Sequence, residues 1–164
     1  MTPVEKSFTG LGGTNIVYDV YEPEGAPVGL MLVTHGVAEH AGRYHHVADV
    51  LVGLGLRVVI PDHRGHGRSG GKRLLARDMS EFTTDLETLR KLKLVEGRPT
   101  YLLGHSMGGQ IALDYALDHQ SSLAALILSA PARARPSPGS ACRTRPEAAR
   151  GVTERDAQSR APGG

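Results

Sequence analysis

Apolar residues along the chain change their spacing several times, and each change marks an element. Ile16, Tyr18 and Val20 alternate with Val17, Asp19 and Tyr21, the period of a half-buried strand. Lys6 to Glu22 thus reads as two short strands around Gly12-Gly13-Thr14-Asn15, and Glu24 to Pro27 as a turn. Gly29 to Thr34 is a continuous apolar run, as in a parallel strand covered on both faces. Tyr44, Val47, Ala48, Leu51 and Leu54 recur at helical spacing, and Gly53 and Gly55 close that helix. Leu56 to Ile60 is the next strand. Ser80 is the expected cap of a second helix, with Phe82, Leu86, Leu89 and Leu92 on one face. Thr100 to Leu103 is another apolar strand. The following helix is apolar nearly all round, so a central, buried position is expected for it. Ala124 to Ser129 is a last apolar strand.

Strands alternating with helices predict an α/β fold with a mostly parallel sheet and an N-terminal antiparallel hairpin. In such a sheet functional groups gather at the carboxyl ends of the strands. His35, Asp62 and Ser106 all fall there. Ser106 is the centre of Gly104-His105-Ser106-Met107-Gly108, a Gly-x-Ser-x-Gly elbow between a strand and a helix. The motif places the serine on a strained turn with its hydroxyl lifted clear of the backbone. Side chains at Gly104 and Gly108 would collide with the neighbouring strand and helix. A serine at a helix N-terminus also has backbone amides nearby that can stabilise an oxyanion.

Composition changes this picture mainly at one end. The 164 residues are 40% hydrophobic and carry a net charge of +2. Residues 132–164 hold seven Arg, no Lys and three acidic residues, so the basic excess lies there and the rest of the chain is net negative. Val152 is the only large aliphatic residue of that stretch, which has no aromatic residue. It cannot bury enough surface to offset its ordering entropy, and a disordered Arg/Pro/Ala/Gly-rich tail is expected. A truncated gene product, or one read in a shifted frame from a GC-rich gene, is the expected origin of such a composition. The domain division is then 1–131 and 132–164. With its charges interleaved with Pro, Ala and Gly and without aromatic partners, the tail is not expected to bind nucleic acid or acidic membrane. Cys142 is the single cysteine, so no internal disulfide forms. Residues 1–10 lack an apolar signal region and no run approaches a membrane span, so a cytoplasmic location is expected.

Three stretches together carry a family resemblance: His35-Gly36-x-x-Glu39-His40-x-Gly42-Arg43-Tyr44, Asp62-His63-Arg64-Gly65-His66-Gly67-x-Ser69, and Gly104 to Gly109. From about Phe8 to Pro131 the chain resembles the α/β-hydrolases, and within them the monoacylglycerol lipase and lysophospholipase group, whose domain is also called serine aminopeptidase-like. The resemblance implies a serine carboxylic-ester hydrolase working through an acyl-enzyme on Ser106. It implies backbone oxyanion donors at Val37 and Met107, a monoacylglycerol or lysophospholipid-like substrate, transient contact with lipid, and no cofactor. Glu39 and Arg43 match positions near the head-group end of the site, or form a local ion pair that shapes the loop. The Asp62–Ser69 loop reads as structural, with phosphate cradling by its glycines and Arg64 or Arg68 as the other reading. Eight histidines raise the question of a metal, but no ligand spacing is present and none is expected.

Two expectations follow from departures from the family. The triad of this fold runs Ser, then acid, then His along the chain, yet no histidine follows His119. The matching region is an N-terminal portion, and the 164 residues alone are expected to be inactive. Either His35 substitutes as base or it orients the oxyanion loop. Ala124 to Ser129 would also form an open apolar sheet edge, a route to self-association or to dependence on a partner chain.

Overall fold

The computed structural model describes residues 1–132. Six strands form one sheet, β1 (Val4–Thr9), β2 (Asn15–Tyr21), β3 (Gly29–Thr34), β4 (Leu56–Pro61), β5 (Thr100–His105) and β6 (Ala125–Ser129). Their spatial order is β1-β2-β4-β3-β5-β6. The first two strands form an antiparallel hairpin, β2 meets β4 antiparallel, and β4, β3, β5 and β6 run parallel. The predicted α/β class, with its parallel body and N-terminal hairpin, is the one observed. Three helices complete the body: α1 (His45–Gly53), α2 (Met79–Lys93) and α3 (Met107–His119).

Alternation along the strands feeds two cores. Leu30 and Leu32 of β3, Val59 of β4 and Tyr18 and Val20 of β2 face α2 and α3, where Phe82, Leu86, Leu89, Ile111 and Tyr115 meet them. Met31 and Val33 of β3 and Val58 and Ile60 of β4 face the other way, onto Ala48 and Val52 of α1. A sheet covered on both faces explains why β3 reads as an unbroken apolar run. Each fully buried Leu, Ile or Val here contributes roughly 1.5–3 kcal/mol relative to exposure.

Several expectations need correction. Asp78, not Ser80, is the N-cap of α2: its carboxylate accepts from the Ser80 amide at 2.8 Å. Leu92 is exposed, because it lies about 80° off the stripe of Phe82, Leu86 and Leu89. Lys93 continues that stripe, its ammonium 5.2 Å from the centre of the Tyr18 ring. Leu54 lies outside the buried face of α1 as its C-cap. The apolar helix α3 is buried on one side only. Ile111, Ala112 and Tyr115 are covered, whereas Leu113 and Leu117, four residues apart, face outward among the described residues. Composition around a helix reports what could be covered, and the neighbours decide what is. No described helix is long and apolar enough to cross a membrane. Nearly all of the Arg-rich segment, 133–164, including Cys142, lies outside the described residues.

Candidate active site

The elbow forms as its glycines predict. Ser106 joins β5 to α3 with φ 52° and ψ −117°, a left-handed conformation that a serine adopts only at a cost. A Cβ on Gly104 would stand 2.5 Å from the Gly108 carbonyl and 2.8 Å from the Ala112 methyl. One on Gly108 would overlap the Thr34 carbonyl. Close approach of three backbones therefore sets both positions. Thr34 locks the approach from β3, its hydroxyl lying within hydrogen-bond reach of the Leu103 (3.1 Å) and Gly108 (2.9 Å) carbonyls. The Ser106 amide donates to Ser129 of β6 at 3.0 Å, and its carbonyl accepts from Gln110 and Ala132. Four flanking segments thus hold the strained residue in place.

The His35–Tyr44 loop comes up beside the serine. A Cβ on Gly36 would lie 3.3 Å from that of Ser106. Glu39 shapes this loop from within. One carboxylate oxygen accepts from the Gly36 amide and the Tyr44 hydroxyl, both at 2.8 Å, and the other pairs with Arg43 at 3.2 Å. Burial would raise the Glu39 pKa, but the Tyr44 and Gly36 hydrogen bonds and the Arg43 charge outweigh it and hold the carboxyl below its ordinary range. Glu39 is therefore committed to loop geometry, which is the local ion-pair arrangement weighed above. Tyr44 was legible as a core residue, but its hydroxyl bond to Glu39 had no signal in the spacing. Ala38 turns the chain with φ 58°. Val37 is exposed, and neither its amide nor that of Met107 has an acceptor among the described residues. Two N–H groups without a protein acceptor thus stand on the two segments that flank Ser106.

Behind this loop lies a buried histidine cluster. The His35 ring sits 4.3 Å from that of His63 and 5.4 Å from that of His66, centre to centre. Its Nε2 accepts from the His63 amide at 3.0 Å, which leaves Nδ1 to donate to the Gly36 carbonyl at 2.7 Å. Burial pushes the His35 pKa down from 6.5 to about 4 and that of His63 well below the ordinary value, so both are neutral near pH 7. Both His35 nitrogens are taken by backbone groups, the arrangement of an orienting residue rather than a base. No group of His, Cys, Asp or Glu among the described residues is arranged to hold a metal.

The Asp62–Ser69 loop is tied together internally. Buried Asp62 accepts from the Ala41 amide (2.6 Å), the Arg68 amide (2.9 Å) and the Arg68 side chain (2.7 Å). Those donors outweigh the upward push of burial and lower its pKa. Arg68 also reaches Asp19 of β2, and Arg64 is gripped by Asp85 and Glu81 of α2. Each arginine read as a phosphate contact is instead engaged by carboxylates. Of the other histidines near the elbow, His105 points its Nδ1 at the Ser129 hydroxyl, 3.1 Å away. His119 stacks on Tyr115 at the far end of α3, about 20 Å from Ser106 along the helix axis.

Comparison with known proteins supplies the rest. The family profile described as serine aminopeptidase, S33, matches residues 25–153. The chain is 50% identical over 133 residues to a monoacylglycerol lipase of Mycolicibacterium smegmatis, covering 80% of this chain and 48% of that protein. To the human monoglyceride lipase it is 42% identical over 113 residues, 68% of this chain and 37% of the relative. Among solved structures, a thermostable carboxyl esterase from Bacillus coagulans in complex with glycerol superposes with a TM-score of 0.70 at 33% identity, covering 78% of this chain and 44% of the other. The chain thus spans half or less of the length of these relatives.

Proposed function

The chain belongs to the serine aminopeptidase S33 family of α/β-hydrolases, and on that footing we propose that Ser106 is the nucleophile of a serine carboxylic-ester hydrolase for monoacylglycerol or lysophospholipid-like substrates. The observation that carries the reading is a serine at φ 52° with amides that have no protein acceptor on the two segments beside it. In the reaction, Ser106 Oγ bonds to the acyl carbon and gives its proton to a base. The carbonyl oxygen takes up negative charge and accepts from the Val37 and Met107 amides. The ester C–O bond then breaks, and the leaving alcohol receives that proton. Water, deprotonated in the same way, releases the carboxylic acid and restores the serine. Lipid ester is the substrate class that the named relatives suggest, and Glu39 and Arg43 act by shaping the loop that carries Val37.

The same reading divides the site. Within the 164 residues, His35 is bonded to backbone at both nitrogens, His105 faces Ser129, and His119 is out of reach. Nothing described deprotonates Ser106, and losing the base lowers kcat of a serine hydrolase by on the order of 10⁶. We therefore infer that these residues alone hold the nucleophile and oxyanion portion of the site and are catalytically silent. A second reading, favoured by the exposed strand β6, has a separate chain completing the fold and supplying acid and base.

Fluorophosphonate labelling of the purified chain, beside Ser106→Ala and beside hydrolysis of a short-chain p-nitrophenyl ester, tests this. The expected result is labelling no higher than the Ser106→Ala control in protein shown to be folded by circular dichroism. Ser106-dependent labelling with turnover would overturn the silent reading and make His35 the next residue to replace.

A further inference from the structure

The connection from β4 to α2 carries a feature that the ester-hydrolase reading does not use. It runs Lys72-Arg73-Leu74-Leu75-Ala76-Arg77, and both leucines stand in solvent, 58% and 51% exposed. Leu74 also has φ 53°. Left-handed backbone costs a residue with a Cβ roughly 1–2 kcal/mol, and a side chain as exposed as that of Leu74 recovers little of it by burial. The neighbouring left-handed positions of this connection, Gly65, Gly67 and Gly71, are glycines. The strain at Leu74 therefore goes into presenting an apolar side chain outward.

A second loop adds to the patch. Leu11, 45% exposed, lies in the β1–β2 connection, and with Leu75, Lys72 and Arg77 it lines a groove of about 320 Å³. The cations around these leucines are weakly matched. Neither Lys72 nor Arg77 forms an ion pair with a described carboxylate, and Arg73 reaches only the Gly67 carbonyl. Glu81, also on the groove, is engaged by Arg64 and by the Arg77 amide. Both loops leave the sheet at its functional edge. The β4–α2 connection follows the carboxyl end of β4, and β2, antiparallel to β4, begins there. That edge also holds His35 and Ser106.

We propose that the Lys72–Arg77 stretch, with Leu74 and Leu75 among Lys72, Arg73 and Arg77 and with Leu11 beside Leu75 on the groove, is a docking patch for an anionic lipid bilayer. The leucines enter the acyl boundary and the cations meet head-group phosphates, the division of labour of interfacial amphipathic segments. Binding itself is independent of catalysis; only its purpose, delivering ester to the edge where Ser106 sits, rests on the function proposed above. Three cations in the same six-residue stretch as two exposed leucines fit a bilayer surface better than an apolar protein partner.

The chain has no tryptophan, so a single one reports its own environment. Leu75→Trp, made in the full chain, is mixed with vesicles of ether-linked phosphatidylcholine with and without about 30% phosphatidylglycerol, a surface that attracts basic residues and cannot be hydrolysed at an ester. Emission is expected to shift to the blue and to be quenched by brominated lipid in the anionic vesicles. Leu54→Trp, exposed just before the amino end of β4 at the opposite sheet edge, is expected to stay unshifted. Each of Lys72→Gln and Arg77→Gln is expected to weaken vesicle binding about fivefold. Leu74→Ser, which keeps every charge, should reduce the Leu75→Trp shift while circular dichroism stays unchanged. Co-sedimentation with an unshifted Leu75→Trp would place the contact elsewhere, in the Arg-rich segment for instance, and would overturn the proposal. So would absence of binding to anionic vesicles. Either result leaves the labelling outcome at Ser106 untouched.

Discussion

At the scale of single residues, the site depends on groups held in costly states by their neighbours. Ser106 keeps a left-handed backbone because Ser129, Gln110 and Ala132 bond to it and because Gly104 and Gly108 let three backbones meet. His35 is kept neutral by burial, its pKa falling from 6.5 to about 4, and His63 is displaced in the same direction. The sign of the consequence is fixed. Below pH 6.5 the unfolded chain binds protons that the folded chain refuses, so stability falls as pH drops from 6.5 toward 4. Glu39 and Asp62, with lowered pKa values, add their loss only at lower pH, which leaves the interval from 6.5 to 5 to the histidines. Each contributes up to about 1.4 kcal/mol per pH unit. Urea denaturation between pH 7.5 and 5.5 is expected to give a slope that rises from near zero toward two protons at the acid end in the wild-type chain, and toward only one in His35→Asn. An unchanged slope in that variant would show that His35 is not the group excluded from protonation.

At the scale of elements, the outline was legible because both faces of the sheet are covered. That cover made β3 an unbroken apolar run, and its boundaries, Gly29 to Thr34, are those read from the sequence. The elbow was legible too, because Gly104 and Gly108 meet backbone and tolerate no substitute. What the pattern did not carry was a choice among near neighbours. Asp78 and Ser80 are both capping residues two positions apart, and only the extended backbone at Asp78 decides between them. Leu113 and Leu117 are as apolar as Ile111, yet face outward. The pairing of Arg68 with Asp62 and Asp19 is equally invisible in sequence, since it joins a loop to a strand 49 residues away. The cap assignment can be checked directly. Asp78→Ala is expected to lower stability by about 1 kcal/mol, and Ser80→Ala by less than about 0.5 kcal/mol. Equal losses for the two variants in thermal melts would reverse the assignment.

At the scale of the whole molecule, the sheet is closed unequally at its two sides. At one, β1 is an antiparallel strand whose exposed side chains include Glu5 and Lys6, charges of the kind that discourage further pairing. At the other, β6 is bonded to β5 on one side, and among the described residues it has no strand beyond it. Its sequence is Ala-Leu-Ile-Leu-Ser, with Ile127 44% and Leu128 37% exposed, and it carries no charge to deter a neighbour. Leu113 and Leu117 of α3 stand exposed as well. An uncharged, β-prone, accessible edge is a template for another strand. We expect the chain to associate with itself in a concentration-dependent way through β6. Ile127→Lys would oppose this by placing like charges together where two copies meet, while the side chain extends into solvent in the monomer. Sedimentation velocity is expected to show the wild-type chain shifting to larger species as concentration rises, and Ile127→Lys remaining a monomer over the same range. A wild-type chain that stays monodisperse and melts cooperatively would mean that β6 does not serve as a template for a second copy.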